Sequence, residues 1–123
     1  MWTVLAVGLT APAIFGAAEA APDASARRCG WLENPTPGNW WLKDQKAEWV
    51  LATQGAPQPT PDPMDMIPDI SEHDYVSTGG AAGYACACLE GRFDEATKHV
   101  LAVTAFKQLP LQVCKTDKKL PKP

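Results

Sequence analysis

The chain opens on a largely apolar stretch, passes through short segments with the alternation of strands, loses that rhythm in a proline-rich acidic region, and regains it towards the end. Residues 1–20 hold Trp2, Val4, Leu5, Val7, Leu9, Ile14 and Phe15 and no Lys or Arg. The run closes on small residues, and Ala18-Glu19-Ala20 fits the small-x-small pattern of a signal peptidase site, so a secretory signal cleaved near Ala20 is expected. A membrane anchor is the rival reading. Pro12 interrupts the run, however, and the run falls short of the roughly 20 apolar residues a span needs. No stable membrane span is expected once the signal is removed.

Residues 21–27 read as a short polar, disordered lead-in. In Arg28-Cys29-Gly30-Trp31-Leu32-Glu33-Asn34-Pro35-Thr36-Pro37-Gly38-Asn39-Trp40-Trp41, each proline pushes the preceding residue, Asn34 or Thr36, into an extended conformation, and residues 34–38 are predicted to form a rigid turn. Residues 39–42 and 48–53 are rich in aromatic and β-branched side chains, and Asp44-Gln45-Lys46 lies between them, which predicts a β-hairpin. From residue 54 to 74, Pro57, Pro59, Pro61, Pro63 and Pro68 favour an extended, polyproline-like path across the surface. The same stretch carries Asp62, Asp65, Asp69, Glu72 and Asp74 and no Lys or Arg. A loop this long suits either disorder or contact with a partner.

Tyr75-Val76-Ser77-Thr78 is a short strand ended by Gly79-Gly80. Residues 83–90 alternate as a strand with Tyr84, Cys86 and Cys88 on one face. Residues 98–106 form the next strand after a connection over 91–97, with a helical turn over 94–99 as the alternative. Leu109-Pro110-Leu111-Gln112-Val113-Cys114 returns the last cysteine to the fold, and residues 115–123 form a basic, proline-ended tail expected to be exposed and loosely held. The expected fold is mainly β, with a small α+β domain as the alternative. It is a compact, disulfide-stapled single domain over residues 28–114, with β-hairpins and one long proline-rich loop.

Composition narrows the chemistry. Removal of residues 1–20 leaves roughly a hundred residues, one domain with a modest core. A net charge of −3, reduced in magnitude by the loss of Glu19, indicates neither nucleic acid nor an anionic membrane surface as partner. Four cysteines in an exported chain of this size point to two disulfides. Cys86 and Cys88 lie about 7 Å apart at Cα in a strand, too far for easy bridging, so each should pair outward with Cys29 or Cys114. Both connectivities, 29–86 with 88–114 and 29–88 with 86–114, remain open. Each bridge would contribute about 3 to 4 kcal/mol in the chain-entropy model.

The motif from Arg28 to Trp41, followed by Gly83-Tyr84-Ala85-Cys86-Ala87-Cys88-Leu89 and by Leu109-Pro110-Leu111 with Cys114, resembles small exported bacterial proteins grouped as domain of unknown function 4087. The resemblance covers nearly all of the mature chain. It implies a periplasmic or envelope location in a Gram-negative bacterium and carries no assigned chemistry. The proline-rich insert at residues 56–68 looks particular to this chain.

Catalytic constellations are thin. His73 and His99 lie in different elements, Glu33 and Asp44 occupy turn and hairpin-end positions, and Ser25, Ser71 and Ser77 have no nucleophile-elbow context. No enzyme, cofactor or metal is predicted. A copper alternative would use Cys86-x-Cys88 with Met64, Met66 and His73. The acids of residues 62–74 match no EF-hand spacing. The tryptophans are the candidates for binding. Because consecutive strand residues face opposite sides, one of Trp40 and Trp41 should enter the core and the other should be at least partly exposed. An exposed indole near Trp31, Asn34 and Asn39 would suit a protein partner in the envelope or, alternatively, a cell-wall glycan. The expected function is that of an exported, non-enzymatic binding or accessory protein, inhibitor-like in class, that contacts its partner through this tryptophan-rich stretch.

Overall fold

The computed structural model describes residues 23–123, with Thr3 and Gly8 as isolated positions before them. The expected signal segment and its cleavage site fall outside the described residues, as do Ala21 and Pro22. The protein is mainly β. Its strands are β1 (Asp23–Thr36), β2 (Asn39–Lys43), β3 (Glu48–Ala52), β4 (Val76–Gly79), β5 (Ala82–Asp94) and β6 (His99–Leu109), followed by a single helical turn, α1 (Leu111–Lys115).

The strand pairings close on themselves. β1 runs antiparallel to β2 on one side and to β5 on the other. β2 pairs with β3, and β5 with β6. β3 meets β6 in parallel through Val50 and His99, which completes a five-stranded barrel. β4 lies on β5 beyond the end of β6. A strand of a closed barrel alternates between interior and exterior, and β1 and β5 follow that rule in register. Leu32 faces Ala85, Gly30 faces Ala87 and Arg28 faces Leu89 on the inside. On the outside Glu33 faces Tyr84, Trp31 faces Cys86 and Cys29 faces Cys88.

The interior cluster contains Leu32, Leu42, Trp49, Leu51, Leu89, Phe93 and Val100, all essentially without solvent contact. A smaller outer cluster forms from Trp31, Cys86, Leu111 and Cys114, with Tyr84, Leu109 and Leu120 packed against it. β5 is therefore covered on both faces from Ala85 to Leu89, which accounts for its almost continuous apolar composition.

The disulfides are Cys29–Cys88 and Cys86–Cys114, which selects one of the two connectivities left open by the sequence. The first staples two directly paired strands, and the second ties α1 to the outside of β5.

Several expectations need correction. Residues 23–27 are not a disordered lead-in: they extend β1 and pair with residues 90–94 of β5, from Asp23 opposite Asp94 to Arg27 opposite Glu90. The rigid turn is narrower than 34–38, because β1 continues to Thr36 and only Pro37 and Gly38 reverse the chain. Residues 91–94, expected to be a connection, belong to β5, so the turn into β6 spans Glu95–Lys98. The basic tail is held rather than loose. The Trp31 indole donates to the Pro121 carbonyl at 3.1 Å, and Gln45 donates to Asp117 at 2.9 Å.

The proline-rich stretch is a cover for the barrel seam. β3 and β6 share a single bridge, and the segment after β3 folds over the gap between them. Gln58 donates to the Leu51 carbonyl at 3.1 Å and to Asp62 at 2.9 Å. Short 3₁₀ turns at Pro63–Met66 and Ile70–Glu72 are capped by Asp62 and Asp69, and they bury Pro63 and Ile70. Prolines suit such a cover because each removes a backbone donor that would otherwise need a partner.

Carboxylates at or near the surface tie down several turns. Asp69 is held below the ordinary value of 3.8 mainly by the Ser71 hydroxyl, Asp94 by the Thr97 amide, and Asp117 by the Gln45 amide. A depressed folded-state pKa contributes stability that is fully present above the ordinary carboxylate value and is lost as pH falls through the folded value. Urea midpoints are expected to stay level through neutral pH as far as these groups are concerned and to decline in acid. Asp94→Asn is expected to flatten part of that decline, as read from midpoints measured across a pH series.

Candidate functional site

The residues expected to bind divide into two groups. Trp31 is buried at 3% exposure, edge-on to Tyr84 with ring centroids 5.3 Å apart, and covered by the chain terminus. Asn34 is also buried, and its amide donates to the carbonyls of Thr36 and Asn39, both at 2.8 Å. Asn39 donates to the Thr36 hydroxyl, and its side-chain oxygen accepts from the Gln54 amide at 2.9 Å. Trp31 is thus committed to the terminus, and the two asparagines build the hairpin instead of presenting it: Asn34 satisfies carbonyls that flank the reversal at Pro37-Gly38, and Asn39 ties the Thr36 hydroxyl to the backbone of Gln54.

Trp40 and Trp41 keep opposite sides of β2, as alternation requires, but Trp40 is not fully buried. Both are half-buried, with a register shift between them in the β2–β3 pairing. Trp40 packs against the interior cluster. Trp41 stands opposite Glu33 on the outer face and donates its indole N–H to the Glu33 carboxylate. Lys43 lies 3.3 Å from the other oxygen of Glu33, so one buried carboxylate orients an indole and an ammonium side by side.

A second polar assembly closes one end of the barrel, and no sequence signal marked it. The Arg28 guanidinium lies 3.9 Å above the Trp49 ring and 5.0 Å from Phe93. It contacts Asp44 at 3.2 Å and Glu95 at 2.8 Å. Asp44 also accepts from the amides of Lys46 and Ala47, both at 2.8 Å, and so closes the β2–β3 turn. An inward-pointing arginine on a small barrel must be paired and stacked to be tolerated, and this one is both. Glu33 and Asp44 thus serve separate structural partners.

Of the copper candidates, Cys86 and Cys88 are both in disulfides and offer no thiolate. No group of three or more His, Cys, Asp or Glu side chains that could hold a metal ion occurs among the described residues. Sequence reasoning missed a groove of about 500 Å³ where the acidic loop meets the end of β6. Phe106, Leu109, Pro110 and Pro68 supply its apolar wall. His73, Asp74 and Gln108 supply its polar rim.

The architecture is that of a small closed β-barrel stapled on its outer face by two disulfides, a feature typical of exported proteins. Residues 23–121 match the family model described as protein of unknown function (DUF4087), and the chain belongs to that family. No curated protein and no solved structure matches the chain significantly. No helix among the described residues is long and apolar enough to cross a membrane.

Proposed function

We propose that the protein is an exported, non-catalytic binding module that docks a protein partner in the bacterial envelope through the outer face of β1 and β2, with Trp41 as its anchor. One observation carries this reading. Trp41 is partly exposed, yet its ring is already fixed by Glu33, so an aromatic contact surface is presented at little cost in side-chain entropy. The indole sits on the outer face of β2, opposite Glu33. No tryptophan lines the groove at Phe106 or the clefts beside Val50 and Ser25, which favours a protein partner over a sugar ring. The histidines support a non-catalytic role. The His99 ring lies against the Thr97 carbonyl at 3.2 Å, and the Asp74 carboxylate next to His73 accepts from the Leu111 amide at 2.7 Å.

The test is capture of envelope proteins by the immobilised mature chain. Trp41→Ala should weaken capture of the principal partner by about thirtyfold, the loss typical of a hot-spot indole, with the circular dichroism spectrum unchanged. Trp40→Ala should have the smaller effect on capture and the larger one on stability, because Trp40 packs against the interior cluster. Undiminished capture by Trp41→Ala, or retention on insoluble peptidoglycan in place of protein, would overturn the reading.

A further inference from the structure

We propose that the groove between the acidic loop and the β6–α1 corner is a second docking site, which takes an extended, positively charged polypeptide segment by inserting one of its apolar side chains. The groove is concave and mostly apolar, with a small polar rim, the usual make-up of a recognition site.

Its walls are already in place. Gln108 donates to the Ile70 carbonyl at 2.9 Å and to the Asp74 carbonyl at 3.1 Å, and Asp74 accepts from Leu111. The loop wall is thereby fastened to both β6 and α1. Two exposed apolar residues also lie near groove residues along the chain. Met66 and Val113, the large hydrophobic residues most exposed among those described, are 47% and 50% exposed. Met66 lies two residues from Pro68, and Val113 lies three from Pro110, to whose carbonyl its amide donates at 3.0 Å.

Charge selects the occupant. On the loop side Asp65, Asp69, Glu72 and Asp74 are exposed acidic side chains, and no Lys or Arg occurs between Lys46 and Arg92. On the strand side, Lys107 pairs opposite Cys88, on the face of β6 away from Phe106 and Gln108. Lys115 lies at the far end of α1. A ligand seated here therefore meets an apolar floor and a negative rim, which selects cations flanking an apolar anchor. This site lies apart from the Trp41 face, and it stands or falls independently of that reading.

The test uses the mature chain and the peptide acetyl-Lys-Lys-Leu-Phe-Lys-Lys-amide, followed by backbone amide shifts in NMR titration. Two control peptides replace the lysines by glutamates or the Leu-Phe pair by Ser-Gly. Shifts are expected at His73, Phe106, Gln108 and Leu109, with affinity at least about tenfold lower for either control. Met66→Lys with Val113→Lys, at solvent-exposed positions, should weaken binding by a similar factor and leave the free spectrum otherwise intact. Absence of shifts at millimolar peptide would overturn the proposal, as would shifts centred on Trp40 and Trp41 or equal binding of the glutamate peptide. Concentration-dependent shifts at the same amides without peptide would also overturn it, by making a second copy of the chain the occupant.

Discussion

Replacing Cys86 and Cys114 together by alanine should cost about 3 to 4 kcal/mol of stability, the value expected for a bridge that closes a loop of this length. The melting temperature should fall by about 4–8 °C for each kcal/mol lost, as for other domains of this size. The effect should also be visible before unfolding. Cys86–Cys114 is the covalent tie of α1 to β5, and the chain after α1 covers Trp31. The native double variant should therefore show red-shifted tryptophan emission and faster amide exchange at the terminus. Replacing Cys29 and Cys88 should cost a similar amount globally yet leave native emission nearly unchanged, because twelve paired positions still hold β1 to β5 while α1 stays tied. Identical emission for both native variants would show that the second bridge does not hold the terminus down.

Gly91→Ala should destabilise the barrel by about 3–5 kcal/mol, a loss of the size reserved for named steric failures. A Cβ at Gly91 would stand 1.9 Å from the Ala102 carbonyl oxygen, at a register shift where β5 and β6 cross closely. The obstructing atom is backbone, so relief requires the strands to part. Gly30→Ala meets the same obstacle, 2.1 Å from the Lys43 carbonyl oxygen on β2. Both glycines lie on the long strands that coil to close the ring, where a missing side chain lets neighbouring backbones approach. Gly80→Asn is the control. Its φ of 55° is one that asparagine tolerates, and nothing lies within 4 Å of an added Cβ, so it should stay within about 0.5 kcal/mol of wild type. Chemical denaturation of the three variants checks the contrast, and a Gly91→Ala protein as stable as Gly80→Asn would refute the close-packing account.

Much of the fold was legible because the information was local. The hairpin of β2 and β3 showed in two aromatic and β-branched runs around a polar break, and β5 showed in the alternation that places Cys86 and Cys88 on one face. Misreadings arose where distant partners overrode local signals. Residues 23–27 carry little strand propensity, yet β5 supplies them with an edge to pair with. The acids and prolines of residues 54–74 suggested exposure, whereas Pro63 and Ile70 are buried because β3 and β6 leave a seam to be covered.

The candidate site was legible only in outline. Sequence placed one of Trp40 and Trp41 in the core and the other at least partly outside, but the half-burial of both, with a bulge between them, belongs to the β2–β3 register. Trp31 and Asn34 looked equally available until the terminus and the hairpin turn took their polar atoms. The groove draws on residues some forty positions apart, Pro68 and Pro110 at its extremes, and no spacing rule connects them.

By itself the sequence determined that four thiols would pair across the chain, that the domain would be mainly strand, and that tryptophans would crowd its opening motif. Those properties follow from residue type and period along the backbone. Tertiary structure alone decided which cysteine meets which, which indoles face solvent, and that Arg28 points inward to stack on Trp49. The reason is register: closing a ring of five strands assigns every residue to an inner or an outer face, and that assignment belongs to the whole ring rather than to any one segment.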